Sequence, residues 1–255
     1  MSYQRGAAQQ QQEIILLNNQ GATLMQMGDI DGAIEVLADA LNAVKRVTQT
    51  TPKRDRQQNL ELSEWFTACM ETTTTTAKKT ISSPASASSS LGYVYQSPIV
   101  LPANDDQDTI ATLVNVQCVT IMFNLAMAFH LRGLSASTSP MGDAQEQEWA
   151  IQNAISMYEL CYEMMGTELI NPGLFFMMSI TNNLGHAHAM LHSYEKAQKC
   201  FEHLLSMQMY LMDTIDPNNK TESVLMGDGG DEQPFQGFMQ NTSLLILSDC
   251  CASAA

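Results

Sequence analysis

Basic residues are scarce in this sequence, which has 12 Lys and Arg against 27 Asp and Glu and a formal net charge of −15. A field of this sign repels the phosphate backbone of nucleic acids and the anionic surface of membranes. We therefore predict neither a nucleic-acid nor a membrane partner. An acidic protein instead favours a partner segment that is basic or apolar.

The sequence also lacks the signals of secretion, membrane insertion and disulfide bonding. Its first residues, MSYQRGAAQQQQ, contain no apolar core, and none of the six cysteines forms a C-x-x-C pair. No apolar run approaches the roughly 18 residues that span a bilayer. These absences predict a soluble intracellular protein, cytoplasmic or nuclear, with reduced cysteines.

Common catalytic motifs are missing as well. The sequence contains no G-x-S-x-G, no G-x-x-x-x-G-K-S/T, no G-x-G-x-x-G and no H-E-x-x-H. The stretch HAHAMLH (186–192) places His188 and His192 on one helix face, but no acidic third ligand is near. We therefore interpret these histidines as packing or surface residues, and predict no enzyme activity, no cofactor and no metal site.

Composition divides the chain into four parts. They are a first helix hairpin (13–50), a variable insertion (51–105), two further helix hairpins (106–213), and an acidic loop with a C-terminal extended segment (214–255). Within the insertion, TTTTTAKKTISSPASASSS has too little apolar content to offset its chain entropy. It predicts a disordered linker over 71–90.

The stretch LGYVYQSPIVLP (91–102) is rich in β-branched and aromatic residues and ends at a proline, so it predicts an extended strand. A lone strand is not stable and needs a partner. The other candidate strand is FMQNTSLLIL (238–247), near the C-terminus. We predict that the two segments pair.

Small residues recur at fixed spacing among large apolar ones. The order Gly21-x2-Leu24-x8-Ala33-x3-Leu37-x2-Ala40 returns as Gly185-x2-His188-x8-Ala197-x3-Phe201-x2-Leu204. A middle unit has Ala126-x2-Phe129 and then Ala154-x3-Tyr158-x2-Cys161, with 24 residues between its halves instead of 8. A Gly or Ala on one helix lets the backbone of an antiparallel neighbour approach closely, so these residues are predicted to pack the hairpins.

This pattern resembles the tetratricopeptide repeat (TPR), which has L-G-x2-Y on its first helix and A-x3-F on its second. Leu184-Gly185 and Leu125-Ala126 match the first step, whereas Gln20-Gly21 departs from it. The resemblance covers 14–46, 119–165 and 178–208. It implies an all-α, TPR-like array of about three antiparallel helix hairpins with insertions, to which we add one small two-stranded β pairing. The alternative is an ordinary helical bundle without repeat ancestry.

The resemblance also implies a binding groove. Asparagine stands two residues before each small packing residue, at Asn19, Asn124 and Asn183, where TPR domains commonly hydrogen-bond a peptide backbone. In the alternative reading these amides are satisfied between neighbouring helices. The other implied groove residues are Ala22, Met25, Gln26, Met127, His130, Leu131, His186, Ala189 and Met190.

TPR domains that bind acidic chaperone tails use Lys and Arg in this groove, where the present sequence has Asn18, Phe123 and Asn182. The implied groove is apolar and Met-rich, so we expect a non-catalytic adaptor or scaffold that binds an apolar or basic protein segment. Three alternatives stay open: a self-associating structural protein, a regulator that senses a ligand or peptide, and a histidine-based metal protein or enzyme.

Overall fold

The computed structural model describes residues 2–50, 92–101, 110–138, 144–165, 174–214 and 235–243. Its helices are α1 (Ser2–Gln26), α2 (Ile30–Thr50), α3 (Ile110–Thr138), α4 (Ala144–Met165), α5 (Leu174–Met190), α6 (Tyr194–Thr214) and α7 (235–243). Within these ranges the predicted all-α class is confirmed, and the helices pack in pairs. The predicted linker 71–90 lies outside the described residues.

The chain forms two compact units. The first contains α1 to α4 together with residues 97–101, and the second contains residues 92–96 with α5 to α7. In the first unit α1 packs on α2, α3 packs on α4, and α3 also contacts α1 and α2. In the second unit α5 packs on α6.

The turn between α1 and α2 is a two-bond helix C-cap. Gly28 adopts φ 81°, and its N–H donates to the carbonyl of Met25 over 3.0 Å. The next N–H, of Asp29, donates to the carbonyl of Leu24 over 2.9 Å. This is the Schellman pattern, in which a left-handed residue ends one helix and reverses the chain.

The turn between α5 and α6 repeats that geometry with a histidine in place of the glycine. His192 adopts φ 57° and donates its N–H to Ala189, while the N–H of Ser193 donates to His188. Since the same two carbonyl positions are capped in both turns, the two hairpins close in the same way.

Glycines lie where the paired helices come closest. A Cβ on Gly21 would lie 2.5 Å from Cγ of Leu37, and a Cβ on Gly185 would lie 2.7 Å from the ring of Phe201. In both hairpins the large residue follows the glycine by the same number of positions. The side chain of the second helix therefore occupies the space that the glycine leaves empty.

A third close approach involves a glycine inside a helix. Glycine commonly ends a helix, but α3 continues through Gly133 to Thr138. A Cβ on Gly133 would lie 2.5 Å from Cδ1 of Ile151 on α4. This glycine therefore serves interhelical contact and does not end the helix.

The core of the first unit surrounds α3. Every side chain from Gln117 to His130 is buried, as expected for a helix with neighbours on several sides. At the edge of this core, Arg132 binds Glu146 of α4 at 2.7 Å and Asp31 of α2 at 3.2 Å. Its guanidinium also lies 5.5 Å from the ring centroid of Trp149. One side chain thus links three helices.

α3 is also long and apolar enough, over Asn115–Ser137, to cross a membrane by length and composition alone. Most of that span is buried inside the structure. Core helices of soluble proteins meet the same criterion, so a single helix of this kind is weak support for a membrane span.

The core of the second unit joins α5, α6 and α7. Its buried members are Met178, Leu204, Met207, Phe235 and Phe238. Two residues of the extended segment, Tyr93 and Tyr95, pack against this cluster. α7 therefore completes the core with two phenylalanines.

The position of α7 overturns two predictions. Residues 238–243 are helical, so they do not form the predicted strand, and this part of 214–255 is not extended. Residues 92–101 form no β ladder with them; among the described residues no strand is present. Burial of Phe235 and Phe238 on one helix face outweighs the strand preference that the local sequence shows.

Substitution of Gly21 by Ala tests the close approach of α1 and α2. By helix propensity alone, alanine in place of glycine would stabilise α1 by about 1 kcal/mol. Because its Cβ would collide with Leu37, we expect the free energy of unfolding to fall by about 1–3 kcal/mol in urea denaturation. In the Gly21→Ala, Leu37→Ala double variant the loss should be smaller than the sum of the two single losses. Additive losses would show that the two positions do not compete for space.

Candidate peptide-binding site

In the first unit, two asparagines bind the backbone of residues 97–101. The N–H of Leu101 donates to Oδ1 of Asn19 over 2.8 Å, and Nδ2 of Asn19 donates to the Leu101 carbonyl over 2.9 Å. Asn124 makes the same pair of bonds with Ile99, at 2.9 and 2.8 Å. Each side-chain amide thus satisfies both polar groups of one residue.

Asn18 connects these two asparagines. Its Nδ2 donates to the Ile99 carbonyl over 3.0 Å and to Oδ1 of Asn19 over 3.2 Å. Its Oδ1 accepts a bond from Nδ2 of Asn124 over 2.9 Å. We call Asn18, Asn19 and Asn124 the first clamp.

In the second unit, two further asparagines bind residues 92–96 in the same manner. The N–H and carbonyl of Tyr95 bond to Asn183, both at 2.9 Å. The N–H and carbonyl of Tyr93 bond to Asn241 at 2.8 and 2.7 Å. Two helices, α5 and α7, supply these amides.

Asn182 completes this second set. Its Nδ2 donates to the Tyr93 carbonyl over 3.1 Å and to Oδ1 of Asn183 over 3.1 Å. Its Oδ1 accepts a bond from Nδ2 of Asn241 over 2.7 Å. We call Asn182, Asn183 and Asn241 the second clamp. The pattern of bonds is the same in both clamps, atom for atom.

The clamps bind every second residue. The N–H and carbonyl of one residue point to the same side only in an extended chain, where those of the next residue point away. Pairing at Tyr93 and Tyr95, and again at Ile99 and Leu101, therefore requires extended backbone. All of these bonds to the segment go to main-chain atoms, so the hydrogen bonds depend on backbone conformation and not on side-chain identity.

Aromatic packing also holds the segment at the second clamp. The ring of Tyr93 lies 5.8 Å from that of Phe238, and the ring of Tyr95 lies 6.0 Å from that of Phe175, both edge to face. The Tyr93 ring also covers Gly237, where a Cβ would collide with it. α7 therefore offers a flat surface to an aromatic side chain.

The structure places the predicted groove residues mostly in the interior. Asn124 and Asn183 are fully buried and Asn19 is half-buried. Of the remaining nine, six are buried, namely Ala22, Met25, Met127, His130, His186 and Met190. Leu131 and Ala189 are half-buried and Gln26 is exposed. Their binding of a separate partner stays a prediction, and the three asparagines are occupied by the chain's own segment.

The predicted repeat-packing residues are buried, except for Leu24 and Phe201, which are half-buried. The buried residues are Gly21, Ala33, Leu37, Ala40, Ala126, Phe129, Ala154, Tyr158, Cys161, Gly185, His188, Ala197 and Leu204.

Sequence reasoning missed three members of the clamps. Asn18 and Asn182 were considered only as places without a basic residue, although each directly precedes a predicted groove asparagine. Asn241 was missed because its segment was assigned to a strand. The repeated Asn-Asn pair, at 18–19 and 182–183, was the signal that could have identified Asn18 and Asn182.

The surroundings of two histidines on α5 lower their pKa values. Burial lowers the pKa of His186 to about 4. Burial, and secondarily the charge of Lys196, lowers the pKa of His188. Among the described residues, no group of three or more His, Cys, Asp or Glu side chains is arranged to hold a metal ion.

Comparison with known proteins assigns no family to the chain. No family model matches the chain, and no curated protein or solved structure is significantly similar to it.

Replacement of Asn241 by Asp tests the second clamp with an isosteric side chain. One oxygen can still accept the Tyr93 N–H, but the other faces two acceptors, the Tyr93 carbonyl and Oδ1 of Asn182. We expect a loss of about 2–4 kcal/mol in the free energy of unfolding. Gln240→Glu, on the exposed neighbour, is the matched control and should change it by less than about 0.5 kcal/mol. Equal effects of the two substitutions would contradict the assigned bonds.

The lowered pKa of His186 predicts that stability falls on acidification. The unfolded chain takes up a proton near pH 6.5, whereas the folded chain resists protonation down to about pH 4. Stability should therefore rise with pH across this window, and His186 should account for about 2 kcal/mol of loss between pH 7 and 5. Urea denaturation at both pH values should give a smaller loss for His186→Gln than for the parent. Parallel profiles would show that His186 is not kept neutral by burial.

Proposed function

We propose that this chain is a non-catalytic protein–protein interaction module, an adaptor or scaffold, whose asparagine clamps bind the backbone of an extended partner segment. One observation carries the proposal: each clamp pairs side-chain amides with both the N–H and the carbonyl of alternate residues. Hydrogen bonds to main-chain atoms give affinity for any extended segment, and neighbouring side-chain pockets give specificity.

The structure contains an example of such a segment, because residues 93, 95, 99 and 101 of the same chain occupy the clamps. A partner would take these places by exchange with the internal segment. The recurring helix hairpins and their glycine contacts support a TPR-like scaffold for this role.

The charge of the chain supports a basic or apolar partner segment. A net charge of −15 raises the association rate of cationic segments and lowers that of anionic ones. The thiols of Cys118 and Cys161 are buried and form no disulfide, as is ordinary in a reducing compartment. We therefore place the proposed binding inside the cell, in solution.

A second candidate is self-association. The last turns of α6 expose Met209, Tyr210 and Met212, with 59%, 63% and 49% of their surface accessible. Apolar side chains of this size on one helix end favour contact between copies. Molecular mass measured over a range of concentrations separates this candidate from an adaptor that remains monomeric.

The adaptor proposal is tested by selection of short random peptides from a display library. The bait is the full chain with residues 92–101 replaced by a Gly/Ser stretch of equal length. This stretch has no apolar side chains to pack and loses more entropy when it becomes extended, so it competes poorly for the clamps. The control bait carries Asn124→Asp and Asn241→Asp in addition. We expect peptides that bind the first bait and not the second.

Backbone methylation then examines the mode of binding. N-methylation of alternate residues in a selected peptide should abolish binding, and methylation of the intervening residues should not, because the clamps bind every second N–H. A bait that is helical by circular dichroism yet selects no peptide, or peptides indifferent to the Asp substitutions, would contradict the proposal.

A further inference from the structure

We propose that the second clamp is selective for an extended segment of the form glycine–aromatic–apolar–aromatic. Residues 92–95, Gly-Tyr-Val-Tyr, are the internal copy of this ligand, and a partner segment of the same chemistry displaces them. This inference rests on the proposed function and names the ligand class of one of its sites.

The glycine is required by the clamp itself. Gly92 adopts φ 118°, a conformation that residues with a side chain rarely take. A Cβ at this position would collide with Oδ1 of Asn241. That same oxygen accepts the N–H of the next residue, Tyr93, over 2.8 Å. Any larger residue would therefore disturb the bond that holds the segment.

The first aromatic residue is selected by α7. The Tyr93 ring covers the bare Cα of Gly237, where a methyl group would collide with it, and meets the edge of Phe238 at an interplanar angle of 72°. A flat ring fits this space, whereas a branched aliphatic side chain does not present a flat face to the backbone.

The second aromatic residue completes a cluster of rings. Tyr95 lies 6.0 Å from Phe175 and 6.2 Å from Phe238, and those two phenylalanines are 5.6 Å apart. Between the two tyrosines, Val94 is buried with 6% of its surface exposed. The four positions from 92 to 95 therefore require, in this order, no side chain, a ring, an apolar group and a second ring.

The covalent link to the rest of the chain gives the internal copy an advantage. A tethered ligand acts at a high effective concentration, so a free segment must compete with it. The apparent affinity of the free segment equals its intrinsic affinity multiplied by the fraction of molecules in which the clamp is open. Weakening the internal copy should therefore strengthen binding of the same sequence in trans.

The test uses full-length protein and a fluorescent peptide LGYVYQ, the sequence of residues 91–96. In fluorescence anisotropy, the Gly92→Ala chain should bind this peptide about tenfold or more tightly than the parent does, because its own segment fits poorly. The peptide LAYVYQ should bind the Gly92→Ala chain about tenfold or more weakly than LGYVYQ, because its alanine meets Asn241. The Gly92→Ala, Asn241→Asp double variant should lose binding.

Several results would overturn the inference. Equal affinity for LGYVYQ and LAYVYQ would refute the requirement for glycine. A folded Gly92→Ala chain that binds neither peptide would show that residues 92–95 are a fixed part of the fold. Equal binding by parent and variant would place the peptide at another site.

A second variant keeps the test decisive if Gly92→Ala fails to fold. Tyr93→Ser, Tyr95→Ser leaves the backbone bonds possible and removes both rings, so it should also open the clamp to LGYVYQ. Failure of this inference remains distinct from failure of the adaptor proposal. If the display selection gives clamp-dependent peptides that lack the Gly-aromatic pattern, the proposed sequence preference is wrong and the adaptor proposal stands.

Discussion

The structure depends on one interaction, the pairing of an asparagine side-chain amide with the N–H and carbonyl of a single backbone residue. This pairing supplies one donor and one acceptor in the geometry that a neighbouring β-strand would supply. It therefore lets an extended segment lie against helices without leaving its polar groups unsatisfied. Helices that carry these amides take the place of the missing partner strand.

The same interaction bears on the proposed exchange of the segment for a partner. The second clamp makes five hydrogen bonds to residues 92–96, each with a net worth of about 1 kcal/mol. Ordering five residues of backbone costs about 1 kcal/mol or more for each residue. The two contributions nearly offset, so the remaining stability comes from side-chain burial. This balance places recognition in the aromatic contacts of Tyr93 and Tyr95.

Much of the helical architecture follows from the sequence, because apolar periodicity and tight turns are local. The spacing predicted that Gly21 and Gly185 pack the hairpins, but it did not identify Leu37 and Phe201 as their contacts. The helical continuation through Gly133 was not readable from the sequence either, since its reason lies in Ile151, on another helix. Local signals cannot separate a glycine that ends a helix from one that admits a neighbour.

The asparagine clamps also show that local sequence signals do not reveal tertiary contacts. The extended character of 91–102 and the asparagines Asn19, Asn124 and Asn183 were predicted separately, but nothing local joined them. The sequence reasoning required a strand as the partner and chose 238–247. In fact residues 238–243 are helical, and Asn241 reaches Tyr93 through its side chain. The two regions meet through this side-chain amide and not through the predicted pairing of strands, because the burial of Phe238 makes its segment a helix.

Hydrogen exchange of individual amides in residues 92–101 is the most direct test of the central claim. The account predicts an alternating pattern. The amides of Tyr93, Tyr95, Ile99 and Leu101 should be protected, since each donates to an asparagine, and those of the exposed residues Gln96 and Val100 should exchange faster. Uniform exchange along the segment, whether fast or slow, would contradict it.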